Sequence, residues 1–142
     1  MNRWHPFRLL PEITAQNQHF WKSGATGSLE ILCCKACSTW IHPPAPICPA
    51  CLSRDVEPRA VSGRATLASF TVNHQPWIPG FDPPYVVALV ELPEQAGLRL
   101  TTNLIDCAPE DARIGMPVEI CFDEYDGVWI PLARPAAGGG AP

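Results

Sequence analysis

The sequence predicts a mainly β protein: an N-terminal helix, a rubredoxin-like zinc ribbon, then a five-stranded barrel of the OB type. Three observations lead there. Cys34 and Cys37 form one C-x2-C pair, and Cys48 and Cys51 form a second after a ten-residue spacer. From residue 56 onward apolar residues alternate in short runs, the period of strands. Seventeen prolines and ten glycines in 142 residues favour short strands and turns over long helices.

Residues 1–28 are expected to form an arm and a helix. The arm holds Trp4 and Phe7 among prolines and arginines and cannot build a core of its own. The helix is expected over 14–22, with Thr14 as N-cap and Ser23-Gly24 as its stop. Ile13, Phe20 and Trp21 are too large for a helix this short to bury alone. They pack either on this chain or on a partner, and the pattern leaves both open.

Residues 29–55 are assigned to the ribbon. A strand over 29–32 leads into the first knuckle, and Pro43-Pro44 ends any ladder after Trp40, Ile41 and His42. Each C-x2-C can turn both sulfurs onto one point, and four thiolates suit a tetrahedral Zn²⁺ with no open position. The site Cys34, Cys37, Cys48 and Cys51 is therefore read as structural. Two disulfides, or a redox C-x-x-C, are the alternatives; the first lacks a secretory context and the second a helix opening after a strand. Cys33 is out of knuckle spacing and reads as a small buried residue.

Residues 56–134 are assigned to the barrel, with strands at 60–73, 85–92, 98–105, 117–122 and 128–133. Gly63 marks a bulge or bend in the first strand, Asp126-Gly127 a tight hairpin, and 109–115 a helical turn or loop. A long first strand and a break between the third and fourth fit an OB barrel. An SH3-like barrel or a small sandwich is the alternative. Residues 135–142 are expected to be a disordered tail.

Net charge is −4, Lys22 and Lys35 are the only lysines, and the arginines are scattered. That argues against a nucleic-acid surface. No apolar run has the length of a membrane span, and the N-terminus has no apolar signal core. A cytoplasmic protein without membrane or nucleic-acid partners is expected. No catalytic motif is present. His5, His19, His42 and His74 stand apart in sequence, and Cys107 and Cys121 read as small buried residues rather than nucleophiles. The loop 73–85, NHQPWIPGFDPPY, carries Trp77, Ile78, Phe81 and Tyr85 among four prolines. It reads as a stiff rim for a partner or an apolar ligand, or as a lid on its own barrel.

Taken in order, the motifs resemble a known family. They are F-W-x-S-G at 20–24, G-x-L at 27–29, Cys34 and Cys37, Pro43-Pro44, and C-P-x-C at 48–51. S-G-R-A-T at 62–66, P-Y-V-V-A-L-V-E-L at 84–92 and I-G-M-P-V-E-I at 114–120 follow. The chain resembles, over 20–133, the zinc-ribbon plus OB-fold family once labelled domain of unknown function thirty-five. It departs at Ser38, where the family often has Gly, and at Ala45, where Arg is common. The resemblance implies a small partner of thiolase-like enzymes in acyl-CoA metabolism, including thiolases, condensing synthases and aldolases that cleave steroid side chains. The larger partner holds the catalytic residues. The expectation is a chain inactive alone, part of a heterotetramer, with structural Zn²⁺ and a CoA thioester as ligand of the complex. Phe20 and Trp21 would dock the partner, and Trp77, Phe81 and Tyr85 would lie on the acyl path. A single-strand nucleic-acid binder and a free-standing CoA enzyme are the rivals; the first needs a basic groove with stacking aromatics, the second phosphate donors from Arg54, Arg59, Arg64, Arg99 and Arg113.

Overall fold

The computed structural model describes residues 8–137, so Trp4, Phe7, His5 and most of the expected tail lie outside the described residues. The described residues form helix α1 (Gln18–Lys22), a 3₁₀ turn (Ser23–Thr26) and eight strands: β1 (Glu30–Cys34), β2 (Trp40–Ile41), β3 (Val56–Ala60), β4 (Arg64–Asn73), β5 (Tyr85–Glu91), β6 (Arg99–Leu104), β7 (Pro117–Tyr125) and β8 (Val128–Pro135). Strands β2-β1-β3 make a small antiparallel sheet, and β4-β5-β6-β8-β7 close into a barrel.

The barrel obeys the alternation read from the sequence. Along β5, Val86, Ala88 and Val90 point inward and are fully buried. On β4, Ala65 and Leu67 face the core, and a register shift between Leu67 and Ser69 then resets the phase so that Phe70 and Val72 follow. One extra residue at a bulge does this by turning every later side chain to the other face. The bulge is at Ala68 and not at Gly63. Gly63 (φ 86°) is the bend that separates β3 from β4, so the strand expected over 60–73 begins at Arg64, and β3 before it is a strand that the sequence pattern does not single out. β3 pairs with β1 from Glu30↔Ala60 to Cys34↔Val56; β4 opens the barrel. The hairpin at Asp126 (φ 51°) and Gly127 (φ 81°) forms as expected, with two left-handed residues joining Tyr125 and Val128.

The helix is shorter than the expected 14–22. Thr14 and Asn17 bond each other, Asn17 N to Thr14 Oγ1 at 3.2 Å and Thr14 N to Asn17 Oδ1 at 2.8 Å, which builds a turn ahead of the helix rather than a cap on it. Ser23-Gly24 does not stop the chain. It carries a 3₁₀ turn that ends at Gly27, whose φ of 80° is the left-handed stop. Gly24 instead serves a close approach. A Cβ there would lie 2.6 Å from Phe122 Cδ1 and 2.7 Å from Trp129 Cβ. Glycine lets the turn touch β7 and β8 directly.

Phe20 is 4% exposed and belongs to one core with Leu29, Ile31, Val61 and the barrel interior. Its ring meets Trp21 edge-on at 4.8 Å and stacks on His42 at 4.9 Å. Trp21 and Ile13 cover a second cluster of Tyr125, Val128, Ile130 and Leu132. Of the two placements that the sequence leaves open for Phe20, the chain's own core takes it. Ribbon and barrel are also tied by polar contacts. Trp40 N donates to Gln95 Oε1 (2.9 Å), Gln95 Nε2 donates back to Trp40 O (3.1 Å), and Gln16 Nε2 donates to Pro44 O (2.8 Å).

Two measurements check this packing. Gly24→Ala should lower stability by about 1–3 kcal/mol in urea unfolding, because Trp129 Cβ is fixed to its backbone and cannot yield. The second concerns pH. Burial pushes the His42 imidazole below its ordinary 6.5, with neighbouring His19 adding to the effect, and burial lowers His19 against the opposing pull of Glu30. The unfolded chain then binds protons that the folded chain does not, so stability falls as pH drops below about 6.5. His42→Phe keeps the stack without the titration and should lose less stability between about pH 7.5 and about pH 5.5 than the wild type. An equal loss would refute the assignment.

Candidate functional site

Two knuckles of the same build carry the cysteines. In the first, Ser38 N donates to Cys34 O (2.8 Å); in the second, Leu52 N donates to Cys48 O (2.9 Å). Ser38 (φ 65°) and Leu52 (φ 64°) both take the left-handed conformation that lets the chain turn back after the pair. That is a position glycine fills without strain, so Ser38 takes here a conformation that glycine would adopt more readily. The Sγ atoms of Cys34, Cys37, Cys48 and Cys51 all lie within 4.8 Å of one another. Cys34 to Cys51 and Cys37 to Cys48 are each 3.6 Å. Sulfurs about 2.3 Å from a tetrahedral Zn²⁺ stand about 3.8 Å apart, so the cluster has the dimensions of a thiolate zinc site. None of the four is in a disulfide.

Cys34 and Cys48 face the ribbon core with Leu32 and Ile41, whereas Cys37 and Cys51 face solvent. The Thr39 hydroxyl, 3.1 Å from Cys37 Sγ, pulls that thiol down to about 6, whereas Cys51, despite a backbone hydrogen bond from Ser53 that lowers it, is raised by its neighbours Cys37 and Cys34, the opposed shifts of thiols that share protons. Cys33 is outside the cluster, with Arg59 Nη1 donating to its Sγ at 3.7 Å. Cys107 and Cys121 are shifted the wrong way for nucleophiles. Burial raises both, Cys121 to about 11.

The second feature is the rim. Loop 74–84 joins β4 to β5 and is pinned by its own side chains. Trp77 Nε1 donates to Asn73 Oδ1 (2.8 Å), Asn73 Nδ2 donates to Gln75 O (2.6 Å), and Phe81 meets Tyr85 edge-on at 4.6 Å. Trp77 remains 70% exposed and so does not act as a lid. Phe81, Tyr85 and Ile78 wall a cavity of about 350 Å³ whose floor includes Val87, Thr101 and Asn103. Arg8 closes one side. Its Nη2 donates to Asn103 Oδ1 (3.0 Å), and its guanidinium lies 5.2 Å over the Phe81 ring. Sequence reasoning misses Arg8 and Asn103, which are 95 positions apart. The strand itself, RLTTNL, offers little signal, because Asn103 stands among other polar residues and only its burial sets it apart. Asn103 is 8% exposed, and its Nδ2 donates to Val86 O at 2.9 Å. The structure thus brings Phe81 and Tyr85 together, keeps Trp77 outward, and places Phe20 and Trp21 against the barrel.

Residues 21–57 match the family described as "ChsH2, rubredoxin-like zinc ribbon domain", and residues 58–123 match "ChsH2, C-terminal OB-fold domain". A "Probable enoyl-CoA hydratase alpha subunit" of Thermomonospora curvata is 42% identical over 127 residues, 89% of this chain but 39% of that protein. This chain therefore spans well under half of that relative. A "DUF35 domain-containing scaffold protein" of Methanocaldococcus jannaschii is 39% identical over 102 residues, 67% of this chain and 71% of that protein. Among solved structures, the chain of an "Ltp2-ChsH2(DUF35) aldolase" superposes with a TM-score of 0.82 at 41% identity, over 90% of this chain and 100% of that one. With its ribbon, its closed barrel and a counterpart over the whole of that solved chain, the chain belongs to the DUF35 family of zinc-ribbon plus OB-fold proteins.

Proposed function

We propose that the chain is a zinc-binding accessory subunit, without catalytic residues of its own, of a thiolase-superfamily enzyme that acts on acyl-CoA thioesters. The observation that carries this reading is the likeness, over the whole of the solved chain, to the DUF35 component of an aldolase. It agrees with the chemistry of the site. The four cysteines close a metal against substrate, the Cys107 and Cys121 thiols are shifted upward, and His42 and His19 are held toward their neutral forms inside packing contacts. Zn²⁺ in Cys34, Cys37, Cys48 and Cys51 would serve as a structural tie, since a tetrathiolate ion offers no position to a carbonyl or a water. The partner supplies the catalytic groups, most simply in a heterotetramer of two subunits of each kind.

The partner-facing surface is drawn from the exposed apolar residues. Phe20 is core, and Trp21 packs on the barrel, so a change at Trp21 perturbs the fold as well as docking. Leu52, 75% exposed at the tip of the second knuckle, and Trp77 on the rim touch water in this chain and suit a protein interface. The loop Trp77, Phe81 and Tyr85 is placed at the acyl entrance of the complex. A nucleic-acid reading fits less well, because Arg8 is engaged with Asn103 and Arg99 with Glu91 at 3.0 Å, which leaves this face without a basic track.

Metal analysis should find one Zn²⁺ per chain, and Cys48→Ser should lose both the metal and the folded ribbon. Retention of metal by that variant would refute the ligand set. Co-expression with a thiolase-like protein should yield a complex that turns over an acyl-CoA, whereas this chain alone does not. Leu52→Asp should weaken co-purification by about tenfold or more in Kd while leaving unfolding midpoints near wild type, since Leu52 packs on little in the isolated chain. Recovery of this chain with nucleic acid, or turnover by this chain alone, would overturn the reading.

A further inference from the structure

The barrel is closed at its weakest point between β6 and β8. The two strands run parallel and share one register pair, Leu104↔Ala133, supported by Ile105 N donating to Ala133 O at 2.8 Å. Among the described residues 99–103 pair with β5 alone, so one edge of β6 has no ladder partner there. Residues 8–11 lie over that seam. Leu10 and Pro11, with Ile130 and Pro131, line a cavity of about 310 Å³ in the gap. Arg8 and Leu9 line both that cavity and the rim cavity of about 350 Å³. The segment is the partition between the two.

What holds the segment down is one side chain. Among the described residues no backbone hydrogen bond joins 8–11 to a strand. Leu9 and Leu10 are 68% and 39% exposed, so they add little burial. Arg8 does the holding. Its Nη2 donates to Asn103 Oδ1 at 3.0 Å, and its guanidinium lies 5.2 Å over the Phe81 ring. Burial works against its charge, while a hydrogen bond with the Tyr125 side chain and the nearby Asp123 carboxylate sustain it. The buried polar side chains of the described residues are Ser23, Asn103 and Asp123, and the last two are grouped about this arginine. Arg8 therefore reaches β6 through Asn103, β7 through Tyr125 and Asp123, and loop 74–84 through Phe81.

We infer that residues 8–11 are a strap and Arg8 its latch. Seated, as here, Arg8 holds loop 74–84 against the barrel and walls the rim cavity off from the gap. Released, it frees the loop and removes that wall. The geometry makes release a single step. A guanidinium either sits among its buried partners or returns to water, because a half-seated charge has lost its hydration without gaining its bonds. The loop's own ties are local: Trp77 Nε1 to Asn73 Oδ1 at 2.8 Å, Trp77 N to Gln75 O at 3.0 Å and Phe81 N to Ile78 O at 3.1 Å. They shape the loop without tying it to β6 or β7, and Arg8 makes that tie. The latch concerns contacts within this chain alone. It goes beyond the accessory-subunit reading, which neither requires it nor fails with it.

Hydrogen exchange in the zinc-loaded full chain tests the coupling from both ends. Arg8→Ala should speed exchange of the Trp77 and Phe81 amides, both bonded inside the loop, by about tenfold or more. The exposed control Arg64→Ala should leave them unchanged. Arg8→Lys should not rescue the loop, since an ammonium keeps the charge near Asp123 but loses the planar fork that spans Asn103 and Phe81. Coupling is reciprocal, so Phe81→Leu, which removes the ring and none of the Arg8 hydrogen bonds, should speed exchange of the Arg8 guanidinium protons by about threefold or more. Wild-type loop amides in a folded Arg8→Ala variant overturn the latch. Full rescue by Arg8→Lys also overturns it, because charge alone would then hold the loop. Should Arg8→Ala fail to fold, Phe81→Leu decides: guanidinium protons that exchange at the wild-type rate overturn the latch, and faster exchange supports it.

Discussion

Four cysteine sulfurs brought within 4.8 Å of one another decide where most of the first half of this chain can go. The ribbon has few buried apolar residues, chiefly Leu32 and Ile41 beside the cysteines themselves. So small a core does not hold a sheet by hydrophobic burial alone, and a metal tie supplies what it lacks. Once the knuckles are tied, β1 is held between β2 and β3, and the two ends of the ribbon leave in set directions. One end places His42 and Pro43-Pro44 on the α1 helix. The other sends β3 through Gly63 into the barrel.

The second consequence is a continuous core. Leu29 and Ile31 of the ribbon, Phe20 of the helix and the barrel interior belong to one cluster. Ribbon and barrel are therefore not beads on a linker. The Gln95 side chain, bonded twice to the Trp40 backbone, ties the ribbon to the barrel, and the contact of Gly24 with Phe122 and Trp129 holds the helical turn on β7 and β8. This rigidity matters for an accessory role. A surface that spans ribbon tip, helix and barrel rim can present a single shape to a partner only if those parts do not move against each other.

The aromatic residues divide by that packing. Phe20 and Trp21 look from composition like the obvious docking pair, yet they close gaps at the barrel wall. Trp77, marked by its loop in the sequence, and Leu52, which no pattern marks, are among the large apolar side chains left in water. The divide follows from geometry: α1 lies over the β6–β8 opening and needs large side chains to seal it, while the rim loop is tied to itself through Asn73 and Gln75 and holds its tip away from the barrel.

Local patterns in the sequence determined the four-cysteine cluster, the five barrel strands to within a few residues, and the Asp126-Gly127 hairpin. Spacing, alternation and turn chemistry act between near neighbours and can be read one window at a time. Only the tertiary structure decided that residues 56–60 complete the ribbon sheet, because an alternating run has the same period whichever strand it pairs with. It also decided that the strand reset falls at Ala68 and that Gly27, not Gly24, ends the helical turn. The same holds for Arg8 reaching Asn103 and for the unpaired edge of β6. Those contacts depend on residues far apart in the chain meeting at one place, and no window of sequence contains both partners.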